Sequence, residues 1–266
     1  MRKLATGLLL GLTLGGCSMA QAQCFTQRQV VLPDRSAVLG RLSNGQAGRE
    51  LAETVWTGDA EAAAAKLRAD PRLATTRVVD DPALTSQPDG RYGDLLTFAV
   101  ARCDRPMLVA LIKAGVDPNG ADRGRPLGLA LLSDDPLLAE TLLAGGASPD
   151  PQKEGGVDLL EQVAGFNHAG AVAMLLRHGL DVAWADEFGR THLDTALAMQ
   201  AYRIGEMLVN AGASLRTADR DGFTPAHALA RPPMLRLDAE EAASRARLVE
   251  KAKADGGPWP PPPPRR

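Results

Sequence analysis

A repeat of about 33 residues is the feature that most constrains this 266-residue chain. Four segments share one pattern, in which an apolar run ends at a glycine that a small or apolar residue follows. The intervals between these glycines are 31, 33 and 33 residues, and the four are Gly115, Gly146, Gly179 and Gly212. A fixed period of this length is typical of a solenoid, in which each unit packs against its neighbours.

The units also begin alike. A short apolar run starts 21 residues before each glycine, at Asp94, Arg125, Asp158 and Thr191. Thirty-three residues after the last of these, Thr224 opens "TPAHALA". A threonine can cap a helix by accepting a hydrogen bond from a free backbone N–H, and a proline suits the first helical position because it has no N–H.

The repeated residue types agree with a pair of helices in each unit. Small residues let the paired helices approach closely; they are Ala99, Ala130, Ala196 and Ala228. Leucines supply an apolar stripe on the second helix of each unit; they are Leu111, Leu142, Leu175 and Leu208. The four glycines stand where a helix ends in a left-handed conformation, which glycine adopts without strain.

These segments resemble ankyrin repeats. The sequence "DRDGFTPAHALA" at 219–230 is similar to the family pattern of an Asp–Gly turn followed by T-P-L-H-x-A-A. In the preceding unit His192 and Asp194 replace the proline and the histidine of that pattern. The resemblance covers about residues 49–255. It implies an all-α ankyrin-repeat solenoid of about six helix-turn-helix units with protruding β-turn tips.

Both ends of the repeat depart from the pattern, as terminal units of solenoids usually do. The first unit is degenerate, with a "GD" turn between two helical runs in 54–71, and a longer connection follows at 71–93. In the last unit Pro232 and Pro233 end the first helix, and a polar helix that starts at Asp238 is suited to capping the solenoid. The Pro-rich tail, 256–266, is expected to be disordered; the alternative is a ligand for a proline-binding groove.

The N-terminal segment predicts export. Arg2 and Lys3 precede a short apolar run at 4–14, and this order is typical of a bacterial secretory signal. Two cleavage sites remain open: "LGGC" resembles a lipobox that would lipidate Cys17, and "AQA" favours cleavage before Gln23. We therefore expect a signal at 1–22, an N-terminal extension at 23–48, and a location in the periplasm or on the periplasmic side of the outer membrane as a lipoprotein.

Either cleavage leaves Cys24 and Cys103 as the two free thiols, in an oxidising compartment. A disulfide between them is the favoured hypothesis, and two unpaired thiols are the alternative.

The sequence predicts no catalytic site, cofactor or metal. It contains no Gly-rich phosphate loop, no G-x-S-x-G and no H-E-x-x-H. The resemblance implies a scaffold hydrogen-bond role for His227, while His168 and His178 occupy turn and helix-end positions and His192 is expected to be exposed. With a formal net charge of -2, the chain has no basic field that would attract nucleic acid.

The resemblance implies that a partner binds the concave face, which the turn tips and the exposed sides of the first helices form. Aromatic residues are scarce in this chain, yet several fall on that face beside arginines, as in interface hot spots. The predicted partner-binding residues are Phe166, Phe188, Arg190, Met199, Arg220 and Phe223. The alternative is that one or two of the aromatic rings pack against neighbouring repeats.

We therefore expect a monomeric, non-enzymatic scaffold that binds another protein in the bacterial envelope, with membrane contact only through a lipid anchor. An alternative is an immunity protein that neutralises a secreted toxin. A weaker alternative is a metal-dependent hydrolase built on His168, His178 or His227.

Overall fold

The computed structural model describes residues 24–25, 35, 39, 42–78 and 93–264. The predicted signal segment, with Cys17, lies outside these residues. Residues 42–78 and 93–264 form two 3-10 helices, at Pro71–Thr75 and Pro151–Glu154, and twelve α-helices. The α-helices are α1 (Gly45–Thr57), α2 (Ala60–Ala69), α3 (Leu95–Ala101), α4 (Arg105–Lys113), α5 (Arg125–Leu131), α6 (Pro136–Ala144), α7 (Leu159–Gly165), α8 (Ala169–Arg177), α9 (His192–Ala198), α10 (Tyr202–Asn210), α11 (Pro225–Ala230) and α12 (Ala239–Ala254).

Consecutive helices form six pairs, and each pair is one unit of the repeat, numbered one to six along the chain. The first helices of successive units pack side by side in order, from α1 through α3, α5, α7 and α9 to α11. The second helices pack along α2, α4 and α6, and along α8, α10 and α12. The predicted all-α solenoid of about six helix-turn-helix units is confirmed.

The repeated leucines and glycines have the structural roles that the period predicts. Leu111, Leu142, Leu175 and Leu208 have no exposed surface, and they form the core between units. The glycine after each second helix of units two to five has a φ of +95°, +103°, +91° or +107°, in chain order. Residues with a Cβ rarely adopt this conformation, so glycine ends these helices at little cost.

Reciprocal hydrogen bonds start the first helix of unit five. The Asp194 N–H donates to Thr191 Oγ1 at 3.3 Å, and the Thr191 N–H donates to Asp194 Oδ2 at 2.8 Å. In unit six the Thr224 N–H likewise donates to His227 Nδ1 at 2.9 Å. The Thr224 hydroxyl, however, lies 2.9 Å from that same nitrogen, and the His227 N–H bonds to the backbone oxygen of Thr224 at 2.9 Å. The side chain of His227 therefore supports this helix start.

The prediction that His192 is exposed was wrong, because only 2% of this residue is exposed. Its ring packs against Trp184 at a centroid distance of 5.5 Å, and its Nδ1 lies 3.1 Å from the Gln152 side-chain amide. The equivalent position of the repeat is buried in other units too, where Pro126 and Pro225 occupy it. The turn of the preceding unit covers this position, so a histidine there is enclosed as a proline would be.

The two end units depart from the regular pattern. Helix α1 starts at Gly45, four residues before the predicted domain start at 49, and the Gly58–Asp59 turn separates α1 from α2. At the other end, Glu241 of α12 is buried and accepts hydrogen bonds from the Asn167 side chain at 2.9 Å and the Arg203 N–H at 3.1 Å. These bonds fix the polar last helix to the turn of unit four and to the start of α10 in unit five.

The Pro-rich tail differs from the disordered segment that the sequence predicts. Residues 256–264 are described, and they lie against unit six. Trp259 packs against the hydrophobic core, and the backbone oxygen of Pro262 lies 2.9 Å from His227 Nε2. An aromatic side chain in the tail thus provides apolar contact that a proline run alone would lack.

A disulfide joins the N-terminal extension to unit two. Cys24 and Cys103, which are 79 residues apart in sequence, are bonded with a Cα–Cα distance of 6.1 Å. The backbone oxygen of Cys24 also accepts a hydrogen bond from the Asp134 N–H at 2.7 Å in unit three. Among the described helices, none is long and apolar enough to cross a membrane.

Removal of this disulfide should destabilise the fold. We expect the double variant Cys24→Ser/Cys103→Ser to lose about 2–4 kcal/mol in free energy of unfolding, because the bridge restricts the unfolded chain. Urea denaturation followed by circular dichroism measures the loss. Wild-type protein unfolded under reducing conditions is the control and should match the variant. An unchanged midpoint in the variant would show that the bridge adds no stability.

Candidate functional site

A groove of about 580 Å³ runs along the concave side of units four to six. Its floor comes from the first helices α7, α9 and α11, and its rim comes from the turns that precede α9 and α11. The principal residues that line it are Asp158, Glu161, Trp184, Asp186, Arg190, Asp194, Met199, Asp219, Phe223, His227 and Arg231.

The turn before α9 is held by one carboxylate. Asp186 Oδ1 accepts hydrogen bonds from the N–H groups of Phe188 and Arg190, both at 2.8 Å. Asp186 Oδ2 accepts from Arg190 Nε at 2.9 Å, and the Arg190 guanidinium lies 5.0 Å from the centroid of the Phe188 ring. A single aspartate therefore sets the turn and fixes an arginine over an aromatic ring that is 50% exposed.

The next turn repeats this geometry, and the two turns are joined. Asp219 Oδ1 accepts the Phe223 N–H at 2.8 Å, and the Arg220 N–H donates to the backbone oxygen of Phe188 at 2.8 Å. The Phe223 ring meets the His227 ring edge-on at a centroid distance of 5.6 Å, and the Arg231 guanidinium lies 5.8 Å from the Phe223 centroid. The backbone hydrogen bond between Arg220 and Phe188 joins the two turns into one continuous rim.

The groove lining has more negatively charged than positively charged side chains. Five carboxylates and two guanidinium groups line it. Burial raises the pKa of Asp194, hydrogen bonds from Thr191 oppose that change, and the charges of Asp219 and Asp186 raise the pKa further. Burial also raises the pKa of Asp186, but hydrogen bonds from Arg190 and from two backbone N–H groups outweigh it, so that this pKa lies below its usual value. A positive group on a partner would relieve the repulsion among these carboxylates.

The structure brings together only some of the residues that the sequence predicts for partner binding. Arg190, Met199 and Phe223 line the groove. Phe188 and Arg220 lie on the rim, and both are exposed. Phe166 is 45% exposed but lies outside the groove lining, after the end of α7.

Several groove residues escaped the sequence analysis. Trp184, Asp158 and Glu161 line the groove, and so do Asp194 and Arg231. The 33-residue period could have indicated two of them. Glu161 and Asp194 occupy the same position of the repeat as His227, in three successive first helices. Trp184 gave no such signal, since it lies in a turn with no aromatic counterpart in the next unit.

The histidines all have contacts within the scaffold. His168 Nδ1 lies 2.8 Å from the backbone oxygen of Leu131, and His178 Nε2 lies 2.9 Å from Glu140 Oε1. His192 and His227 have the contacts described above. Within the described residues, no group of three or more His, Cys, Asp or Glu side chains has a geometry that could hold a metal ion.

Comparison with known proteins supports the fold that the repeat defines. No model of a known protein family matches the sequence, and no curated protein matches it. A solved structure that does match is the crystal structure of the ankyrin repeat domain of Bcl-3, described as a unique member of the IkappaB protein family. The two share 18% identity with a TM-score of 0.55, over 76% of this chain and 85% of that one. The chain therefore has the ankyrin repeat fold.

Loss of the Asp186 carboxylate should loosen the rim. We expect Asp186→Ala to lower the free energy of unfolding by about 1 kcal/mol at neutral pH, since the turn is solvent-accessible and water replaces part of the lost bonding. The folded-state pKa of Asp186 is lowered, so its contribution is present above the unfolded pKa and is lost as the pH falls through the folded pKa.

Urea denaturation of wild type and variant over a series of pH values measures this contribution. The difference between the two proteins should shrink as the pH falls below the usual aspartate range. Glu187→Ala, a change at an exposed neighbour in the same turn, is the matched control. A difference that persists unchanged in acid would exclude the carboxylate as its source.

Proposed function

We propose that this chain is a non-enzymatic scaffold that binds another protein through the concave groove of units four to six. The observation that carries the proposal is the joined pair of turns, in which Phe188 and Phe223 are 50% and 38% exposed at the rim. Exposed aromatic rings that are fixed in place lose little conformational entropy on binding, and aromatic residues with arginine beside them dominate many interfaces.

The groove is also suited to a partner with basic and apolar groups. Arg190 is already bonded to Asp186, so four further carboxylates line the groove with one further cation, Arg231; they are Asp158, Glu161, Asp194 and Asp219. Trp184 adds an aromatic surface beside them. A lysine or arginine of the partner would gain charge complementarity there, which raises specificity and the rate of association.

We further propose that the protein acts in the bacterial envelope as a monomer. The support is the basic and apolar segment at the N-terminus, together with a disulfide, which persists in oxidising compartments. Both cleavage routes remain part of the proposal, with either a lipidated Cys17 or a start at Gln23.

The intact mass of exported protein tests this location. We expect a species that starts at Gln23 or at a lipid-modified Cys17, and the two differ clearly in mass. An unprocessed chain that retains Met1 in the cell extract, with none in the envelope fraction, would contradict the proposal.

Affinity capture tests the binding face. Tagged full-length protein is used to recover partners from envelope extracts, and the affinity of a recovered partner is then measured by titration. We expect Phe188→Ala/Phe223→Ala to weaken binding at least about tenfold, because both aromatic contacts are removed from the rim. The identity of the recovered protein distinguishes a general scaffold from an immunity protein, which would recover a toxin.

Leu137→Ala is the matched control, since Leu137 is an apolar residue of the second helix α6 and is 48% exposed. It should bind as wild type does, and circular dichroism should show all the variants folded. The interface would lie elsewhere if Phe188→Ala/Phe223→Ala bound the partner as tightly as wild type does, or if only the Leu137 variant lost affinity.

A further inference from the structure

The C-terminal tail lies against unit six and forms one side of a cleft there. Trp259 is half-buried and packs against the core, and the following prolines continue along the same surface. The cleft has a volume of about 340 Å³. On the solenoid side its walls are Leu215, Arg216, Thr224, Ala226, His227 and Ala252. Leu215, Ala226 and Ala252 offer apolar surface that is suited to proline rings, and the other three offer polar groups.

A single histidine fixes both the helix start and the tail. His227 Nδ1 accepts the Thr224 N–H at 2.9 Å, so this nitrogen carries no proton. The proton of the neutral ring is therefore on Nε2, which lies 2.9 Å from the backbone oxygen of Pro262 and donates to it. Proline has no N–H of its own, so a proline segment offers carbonyl acceptors and requires only donors from its binding site.

This second contact is specific to unit six. The residue equivalent to His227 in unit five is Asp194, whose Oδ2 accepts the Thr191 N–H at 2.8 Å in the same way. A carboxylate so placed has no N–H to offer a chain lying over it. The helix start needs only an acceptor, so the Nε2 donor of His227 exceeds what the scaffold requires.

The cleft adjoins the concave groove. Thr224 and His227 line both, so a chain that lies in the groove reaches the tail at this point. The tail is joined to α12 only through Gly256 and Gly257, and Gly256 has a φ of +84°. Rotation at these glycines would move the tail away without disturbing α12.

We propose that this face of unit six is a binding site for proline-rich extended segments, that the chain covers it with its own tail, and that a proline-rich segment of the partner takes the tail's place. The proposal rests on the proposed function of the concave face and names the chemistry of the partner. Such segments are recognised by apolar grooves with few hydrogen-bond donors, and their stiffness limits the entropy lost on binding.

Binding of a tail peptide to the full-length chain tests the site. The probe is a fluorescein-labelled peptide of residues 255–264, and fluorescence anisotropy measures its affinity. We expect Trp259→Ala full-length protein to bind this peptide at least about tenfold more tightly than wild type, because its own tail no longer competes well. A peptide with alanine in place of Trp259 is the control and should bind weakly to both proteins.

A second change tests the histidine. Trp259→Ala/His227→Asn should bind the peptide about tenfold more weakly than Trp259→Ala alone, the expected loss for one hydrogen bond. Asparagine keeps an oxygen that can accept the Thr224 N–H, as the shorter Asp194 side chain does in unit five, but lacks the donor that reaches Pro262. Circular dichroism checks that each protein is folded.

The outcomes are distinct from those of the capture experiment, since no partner is present. If wild type and Trp259→Ala bind the peptide equally, or neither binds it, the proposed site is wrong even when a partner still requires Phe188 and Phe223. If the peptide binds as expected while the rim variants retain the captured partner, the cleft is supported and the concave-face function is not. If Trp259→Ala fails to fold, cleavage at a protease site inserted between Gly256 and Gly257 releases the tail after folding, and the same comparison applies.

Discussion

Burial of one leucine stripe between neighbouring units is the interaction on which the rest of the structure depends. A single pair of short helices, seven and nine residues long in units two to five, is too short to be stable alone in water. Leu111, Leu142, Leu175 and Leu208 become fully buried only because another unit lies on each side. The period of the sequence is therefore the period of the core.

This dependence makes the two end units of the solenoid its weak points. At the N-terminal side a disulfide attaches the extension at Cys24 to unit two, and the Cys24 carbonyl bonds to unit three. At the C-terminal side α12 presents a polar outer face, and the tail covers part of unit six. The cap and the tail differ physically: α12 is anchored through the buried carboxylate of Glu241, whereas the tail is attached through few contacts and two glycines.

The sequence predicts most of the scaffold and less of the site, for a physical reason. Gly115 and Leu142 recur because the backbone geometry and the core demand the same residue in each unit, so counting reveals them. The burial of His192 depends on how the preceding turn folds over it. The position of Trp184 in the groove depends on how its turn packs beside the first helices. Neither of these arrangements recurs with the period of the sequence. Trp259 is an isolated residue in a proline run, so no pattern indicated that the tail would dock.

One helical position shows how a uniform scaffold acquires different surfaces. Thr97, Gly128, Glu161, Asp194 and His227 are equivalent residues in units two to six. Thr97 and Asp194 bond to the capping residue of their own helix, and neither side chain then has a hydrogen-bond donor to offer a chain lying over it. An imidazole has two nitrogens on opposite sides of the ring, so His227 can support its helix with one and still donate with the other. At this position a free donor for a bound chain arises only where the side chain that supports the helix start has an N–H that the scaffold does not use.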